Sequence, residues 1–212
     1  VENRKDGIAV MERATAHLIE NDCSRNGESG IVYLDQSGGQ ASGNFCEHNL
    51  RNGIILAGKA KPSLLENYCN RNMSAGIAYT DESSGEAKGN RCEQNLYCGV
   101  LLQDAAVPQM MENHCIKNQV AGIVFTDESG GEAKGNRCEE NRKCGISLQD
   151  NAGPQLIENH CNKNQESGIV YTDESGGEAK GNRSEEKRRD GIYLQDKAQP
   201  QLIENHCNRN RE

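Results

Sequence analysis

The stretch "GIVFTDESGGEAKGNRCEENRK", residues 122–143, decides the fold. "GIVFT" alternates, with Ile123 and Phe125 on one face and Val124 and Thr126 on the other, as a short strand does. "DESGG" is turn chemistry. "EAK" reads as a second short strand, "GN" as a tight corner, and "RCE" as a third strand with Cys138 inward. "ENRK" then turns back to the next glycine. Three short strands and three turns in 23 residues leave no room for a helix; helical repeats are longer, and a leucine-rich repeat would carry several leucines per unit.

Working outward, the unit recurs without insertion or deletion. Glycine followed by Ile or Val stands at Gly7, Gly30, Gly53, Gly76, Gly99, Gly122, Gly145, Gly168 and Gly191, a step of 23 each time. The same step relates Asn21, Asn44, Asn67, Asn90, Asn113, Asn136, Asn159, Asn182 and Asn205. A second asparagine column runs five residues later, from Asn26 to Asn210, interrupted only by Lys187. Three strands per turn, stacked in register, make an all-β solenoid, a single-stranded parallel β-helix. With strands about 4.8 Å apart, nine rungs give a rod of roughly 43 Å.

Side-chain volume sharpens the period. The third residue after each glycine alternates as Tyr33, Leu56, Tyr79, Leu102, Phe125, Leu148, Tyr171, Leu194. The eleventh alternates in the opposite sense as Ala41, Leu64, Ala87, Met110, Ala133, Leu156, Ala179, Leu202. Aromatic meets alanine and leucine meets leucine or methionine, which holds each cross-section near constant volume, as close packing demands. The true repeat is therefore 46 residues, two rungs.

Composition agrees with thin repeats. Only 34% of the 212 residues are hydrophobic, with no Trp, two Phe and 23 Gly, too little for one thick core. The net charge of −8 is spread among interspersed acids and bases, so no basic face for nucleic acid is expected. No run of 18 apolar residues marks a membrane span, and no signal peptide is visible. Residues 1–212 read as one β-helix domain, a segment of a longer protein with both ends in mid-rung. Bare β-helix ends are exposed edges, so end-to-end self-association is the other expectation.

The conspicuous residues divide into ladders. Corner asparagines such as Asn67, Asn90, Asn113, Asn136 and Asn159 are expected to bond backbone groups of their own and neighbouring rungs and to tolerate left-handed dihedrals. The cysteine column, Cys23, Cys46, Cys69, Cys92, Cys115, Cys138, Cys161 and Cys207 with Ser184 in the empty slot, points one way and converges on no metal. Parallel Cβ vectors exclude disulfides within it, and Cys98 and Cys144 lie two rungs apart, roughly 9.6 Å. The thiols read as small buried hydrophobes, and unpaired cysteines lean towards a reducing, cytoplasmic compartment. His114, His160 and His206 face solvent in alternation with Arg91, Arg137 and Arg183, with Glu93, Glu139 and Glu185 two residues further along the same face. The repeated "DESGGEAKGN" is no phosphate loop: its lysine precedes the last glycine, a strand follows, and acids crowd it.

One column invites chemistry. Asp81, Asp104, Asp127, Asp150, Asp173 and Asp196 stand fifth after the glycine in six consecutive rungs. Stacked carboxylates repel by about 0.9 kcal/mol per pair in water, which capping of turn amides would offset. The alternative is a polar stripe for sugars, or for calcium as the one ion the column would suit, built with Gln103, Thr126, Gln149, Thr172 and Gln195, and with Tyr193 as a stacking residue. Neighbouring carboxylates approach the separations used by glycosidases, but every rung offers that spacing, and no catalytic residue stands out.

"GIYLQDKAQPQLIENHCNRN" and "SGIVYTDESGGEAKGNRCEEN" resemble the β-helix repeats of the carbohydrate-binding and sugar-hydrolase group. The alternation of "P-x-L-x-x-N" with "G-x-A-x-x-N" is similar to the β-helix of F-box-only ubiquitin-ligase subunits and to bacterial right-handed β-helix proteins. The resemblance implies a right-handed coil around a three-sided core. Members include pectate lyases, polygalacturonases and epimerases as well as protein-recognition scaffolds. The long cleft-walling loops and the N-T-D, G-H-G and R-I-K motifs of the enzymes do not occur here. The first expectation is therefore a non-catalytic scaffold that presents flat ladder faces to a protein partner, without cofactor. The alternative is polysaccharide binding along the Thr/Gln/Asp stripe, and the third reading a polysaccharide lyase or glycoside hydrolase.

Overall fold

The computed structural model describes residues 3–186 and 188–210. Lys187, the interruption of the second asparagine column, lies outside them. The described residues form two parallel sheets of nine strands each, wound as one right-handed coil without a helix. The first sheet collects the strands that open each rung, such as Ile77–Tyr79, Val100–Leu102, Ala121–Phe125 and Cys144–Leu148. The second collects Glu86–Lys88, Gln109–Met111, Glu132–Lys134 and Gln155–Ile157. Register steps by one rung at each pairing: Ile123 lies opposite Val100 and Ile146, and Ala133 opposite Met110 and Leu156.

The third side differs from the expectation of three strands per rung. It is a row of single-residue bridges, Asp22–Phe45–Tyr68–Arg91–His114–Arg137–His160–Arg183–His206. The physical reason is the pair of asparagine corners on either side. They leave room for one inward residue, the cysteine, so the ladder cannot extend.

The interior follows the two-rung alternation. Tyr33, Leu56, Tyr79, Leu102, Phe125, Leu148 and Tyr171 are fully buried against Ala41, Leu64, Ala87, Met110, Ala133, Leu156 and Ala179. The corner between the sheets alternates too: Gly131 (φ 89°) sits over Pro108, and a Cβ there would lie 2.2 Å from the Pro108 carbonyl oxygen. "DESGG" is thus the turn that clears a proline, and "EAK" the following strand of the second sheet.

The asparagine ladders carry the coil. Asn90 donates from its backbone N–H and its Nδ2 to Asn113 Oδ1, at 3.0 and 2.9 Å. Asn113 Nδ2 in turn donates to Ala87 O and to Asn136 Oδ1, at 2.8 and 2.9 Å. The second ladder repeats the scheme through Asn95, Asn118 and Asn141. The asparagines themselves are not left-handed. Positive φ falls on the residue before each, Glu66, Gly89, Glu112 and Gly135 in the first ladder and Arg71, Gln94, Lys117 and Glu140 in the second. The side chain that satisfies the corner and the residue that bends it are separate.

Candidate functional site

Strands of the first sheet are apolar on both faces, and the outer one forms a feature that alternation alone did not announce. Ala78, Leu101 and Val124 point away from the core yet are 2%, 9% and 1% exposed, clustered with Ala75, Cys98, Ala121 and Cys144. Ile55, Val120 and Val170 pack against the same cluster. Side chains this covered on an outward face form a thin apolar floor buried beneath the outer surface. The signal was present in the second residue after each glycine, Val32, Ile55, Ala78, Leu101, Val124 and Val170. Strands apolar on both faces are covered on both.

Along one side of this floor run the expected polar residues. Gln103, Thr126, Gln149 and Thr172 are half-buried, whereas Tyr193 and Gln195 are exposed. Gln149 Nε2 donates to Ser147 Oγ in the floor at 3.3 Å, and Tyr193 Oη donates to Gln195 Oε1 at 3.3 Å. Thr126 Oγ1 donates to Asp127 Oδ2 at 2.9 Å, and Thr172 Oγ1 to Asp173 Oδ2 at 3.0 Å. Buried floor, Thr/Gln column and aspartate corner are therefore linked by side-chain hydrogen bonds at Ser147, Thr126 and Thr172.

The aspartates occupy left-handed turns, with φ of 55–59° from Asp81 to Asp196. Each carboxylate accepts the backbone N–H of the equivalent residue one rung earlier. Asp81 donates to Asp104 at 3.0 Å, Asp104 to Asp127 at 3.1 Å, Asp127 to Asp150 at 3.3 Å, and Asp150 to Asp173 at 3.2 Å. Asp173 donates to Asp196 at 3.4 Å, and Gly58 begins the run by donating to Asp81 at 2.7 Å. Asp35 does the same for Glu12 at 3.0 Å, a member that Gly58 hides when only consecutive aspartates are counted. Among the described residues no group of three or more His, Cys, Asp or Glu is placed to hold a metal ion.

Elsewhere the ladders are architecture. Arg91, Arg137 and Arg183 pair with Glu93, Glu139 and Glu185 at 3.8, 2.8 and 3.3 Å. His114 and His160 stand half-buried between them. The cysteines from Cys23 to Cys161 are buried, and Cys207 is exposed. Burial pushes the Cys69 and Cys138 thiols well above the usual range. Ser184 is fully buried in the same column, and its hydroxyl has no hydrogen-bond partner.

A coil of uniform 23-residue rungs with two parallel sheets and an asparagine corner defines a class, the right-handed parallel β-helices. The chain belongs to the family described as "Right handed beta helix region", which matches residues 6–153 and 112–212. Among solved structures it is similar to a double mutant of the periplasmic alginate epimerase AlgG, with 20% identity, a TM-score of 0.83, and coverage of 92% of this chain and 51% of that one. A single mutant of the same enzyme gives 16% identity and a TM-score of 0.58 over 84% and 46%. A further AlgG structure gives 14% and 0.57 over 90% and 58%. The chain thus spans about half the length of these proteins, and the likeness shows the fold. None of the curated proteins compared with it matches in sequence. The expectation of a non-catalytic protein-interaction scaffold is corrected by this finding: the solved chains that share the coil are of an enzyme, an alginate epimerase.

Proposed function

We propose that the chain binds a polysaccharide lengthwise on the outer face of its first sheet. One observation carries the reading: half-buried Gln103, Thr126, Gln149 and Thr172 repeat with the rungs along one face of the rod. A site that repeats at a fixed step fits a ligand that repeats as well. The Thr hydroxyls and Gln amides offer donors and acceptors to sugar hydroxyls. Tyr193, exposed at the same register, adds an aromatic face. The similar structures are of an alginate epimerase, which is in keeping with a carbohydrate ligand.

Affinity electrophoresis through gels containing a panel of polysaccharides tests it. Retardation in at least one gel, lost in a folded Thr126→Ala/Gln149→Ala variant, is expected. Unretarded migration throughout, or retardation that the variant retains, would overturn the reading. Incubation of the retained polymer with the protein, followed by analysis of chain length and sugar configuration, then separates an enzyme from a binding module.

A further inference from the structure

Three hydroxyls at the centre of the coil are not used by the fold. Tyr33, Tyr79 and Tyr171 are fully buried, and among the described residues the hydroxyl of each has no hydrogen-bond partner. Phe125 fills the same position of its rung, so packing asks for a ring and no more. Buried polar atoms are rarely left unpaired, and three at matching positions call for a cause.

Each of these hydroxyls lies against the cysteine column. The groups that bear electrostatically on Tyr79 are the Cys92 and Cys69 thiols, those on Tyr33 are Cys46 and Cys23, and that on Tyr171 is Cys161. Every tyrosine thus follows one column residue by ten positions and precedes the next by thirteen. At Tyr171 the second of these is Ser184, whose hydroxyl is likewise buried and unpartnered. Burial pushes the Tyr79 hydroxyl up, so it stays protonated and is a donor.

The thiols stand one rung apart in strict register: Cys69 donates its backbone N–H to Arg91 O at 2.7 Å, and Cys92 its own to His114 O at 2.8 Å. A rung of about 4.8 Å is far too long for a disulfide of about 2.05 Å. It fits two metal–sulfur bonds of about 2.3 Å laid end to end. A four-coordinate ion needs ligands converging from several directions, and among the described residues no such group exists. A two-coordinate ion needs only the row.

We infer that Cys69 and Cys92 with Tyr79, and Cys23 and Cys46 with Tyr33, are sites for a soft monovalent cation of the copper(I) or silver(I) kind, held in line between two thiolates. Soft ions select thiolate sulfur. Two S–H bonds give way to two sulfur–metal bonds, two protons leave to solvent, and no electron is transferred. The bound unit carries one net negative charge in an apolar core, and the tyrosine O–H is the donor that meets it. The Phe125 rung, with Cys115 and Cys138, lacks that donor, and the Tyr171 rung lacks the second thiol.

The test equilibrates the reduced chain with silver(I) long enough for rungs to open locally. A soluble thiol then strips ions held by a single exposed sulfur such as Cys207. The silver retained per chain is counted by mass spectrometry of the folded protein. Two ions are expected in the parent, each releasing about two protons on binding. Tyr79→Phe copies the Phe125 rung, which the fold accommodates, and should retain one. Ser184→Cys completes the pair beside Tyr171 and should retain three. Any other count in the parent, or an unchanged count in either variant, overturns the inference.

Discussion

The buried asparagine ladder and the exposed aspartate ladder make the same bond to different ends. In each, a side-chain oxygen accepts the backbone N–H of the equivalent residue one rung earlier: Asn90 to Asn113 at 3.0 Å inside, Asp104 to Asp127 at 3.1 Å outside. The inner ladder adds a second use of the side chain. Its Nδ2 groups donate to the next asparagine and to a carbonyl 26 residues back, so buried polar groups on three stretches of chain are paired by one amide. A carboxylate has no N–H to give and would bring charge into a site with 0% exposure, as at Asn113. At the outer corner water solvates the anion, and the carboxylate only accepts, from the rung before it and, at Asp127 and Asp173, from the neighbouring threonine hydroxyl, so either residue type would close the turn. Neutrality inside is a physical necessity, while the turn outside closes with or without charge.

The largest effect should come from breaking the inner ladder. Asn113→Ala leaves the buried Asn90 backbone N–H without its side-chain acceptor, removes one of the two bonds of Asn90 Nδ2, which keeps Leu64 O, and takes the Nδ2 donor from the Ala87 carbonyl, at about 1–3 kcal/mol for a group left unpaired. Urea unfolding should show a loss of at least about 3 kcal/mol. Asn113→Asp keeps the shape and should be comparably destabilised at neutral pH. It should recover as the pH falls through the carboxylate range, since protonation removes the buried charge and restores a donor.

Next comes the alkaline limb. Burial pushes the Cys144 thiol up to about 12 from 9.0. A raised folded-state value means that its contribution is intact below pH 9 and is lost as the pH climbs towards 12. Cys144→Ala matches Ala121 in the adjacent rung of the same column. Its stability should decline less steeply over that window than that of the parent, followed by circular dichroism.

Ser184→Cys should stabilise, because it replaces a buried hydroxyl without a partner by the thiol that fills the slot in neighbouring rungs. A gain of about 1–2 kcal/mol in urea is expected. The smallest effect belongs to the outer ladder. Asp127→Asn retains the acceptor for Asp104 and relieves repulsion from Asp104 and Asp150. Stability should rise by less than about 1 kcal/mol at low salt and be unchanged at high salt. A large loss instead would show that the charge itself holds the corner, which would remove the contrast between the ladders.

Much of the coil was legible beforehand because its constraints recur every 23 residues. The pairing of Tyr79 with Ala87 and of Leu102 with Met110 showed which residues share a cross-section, and the inward thiols followed from Cys138 lying mid-way between two asparagine corners. Two features were less accessible. Val124 read simply as the far side of a strand, since its burial depends on Val120, Leu101 and Ser147 being brought around it by different rungs. The left-handed residue before each asparagine was assigned to the asparagine, because Glu66 and Gly89 share a backbone conformation that their chemistry does not advertise.

The sequence by itself determined the period, the strand-and-turn order, the inward columns and the excess of acid along one corner, since each is a statement about residues at fixed spacing. Only the tertiary structure decided that the third side is a row of single bridges, that side chains on the outer face of the first sheet are buried, and that the aspartates close turns through one oxygen. Those depend on distances between residues 23 or more positions apart, set by how each rung lies on the one before it.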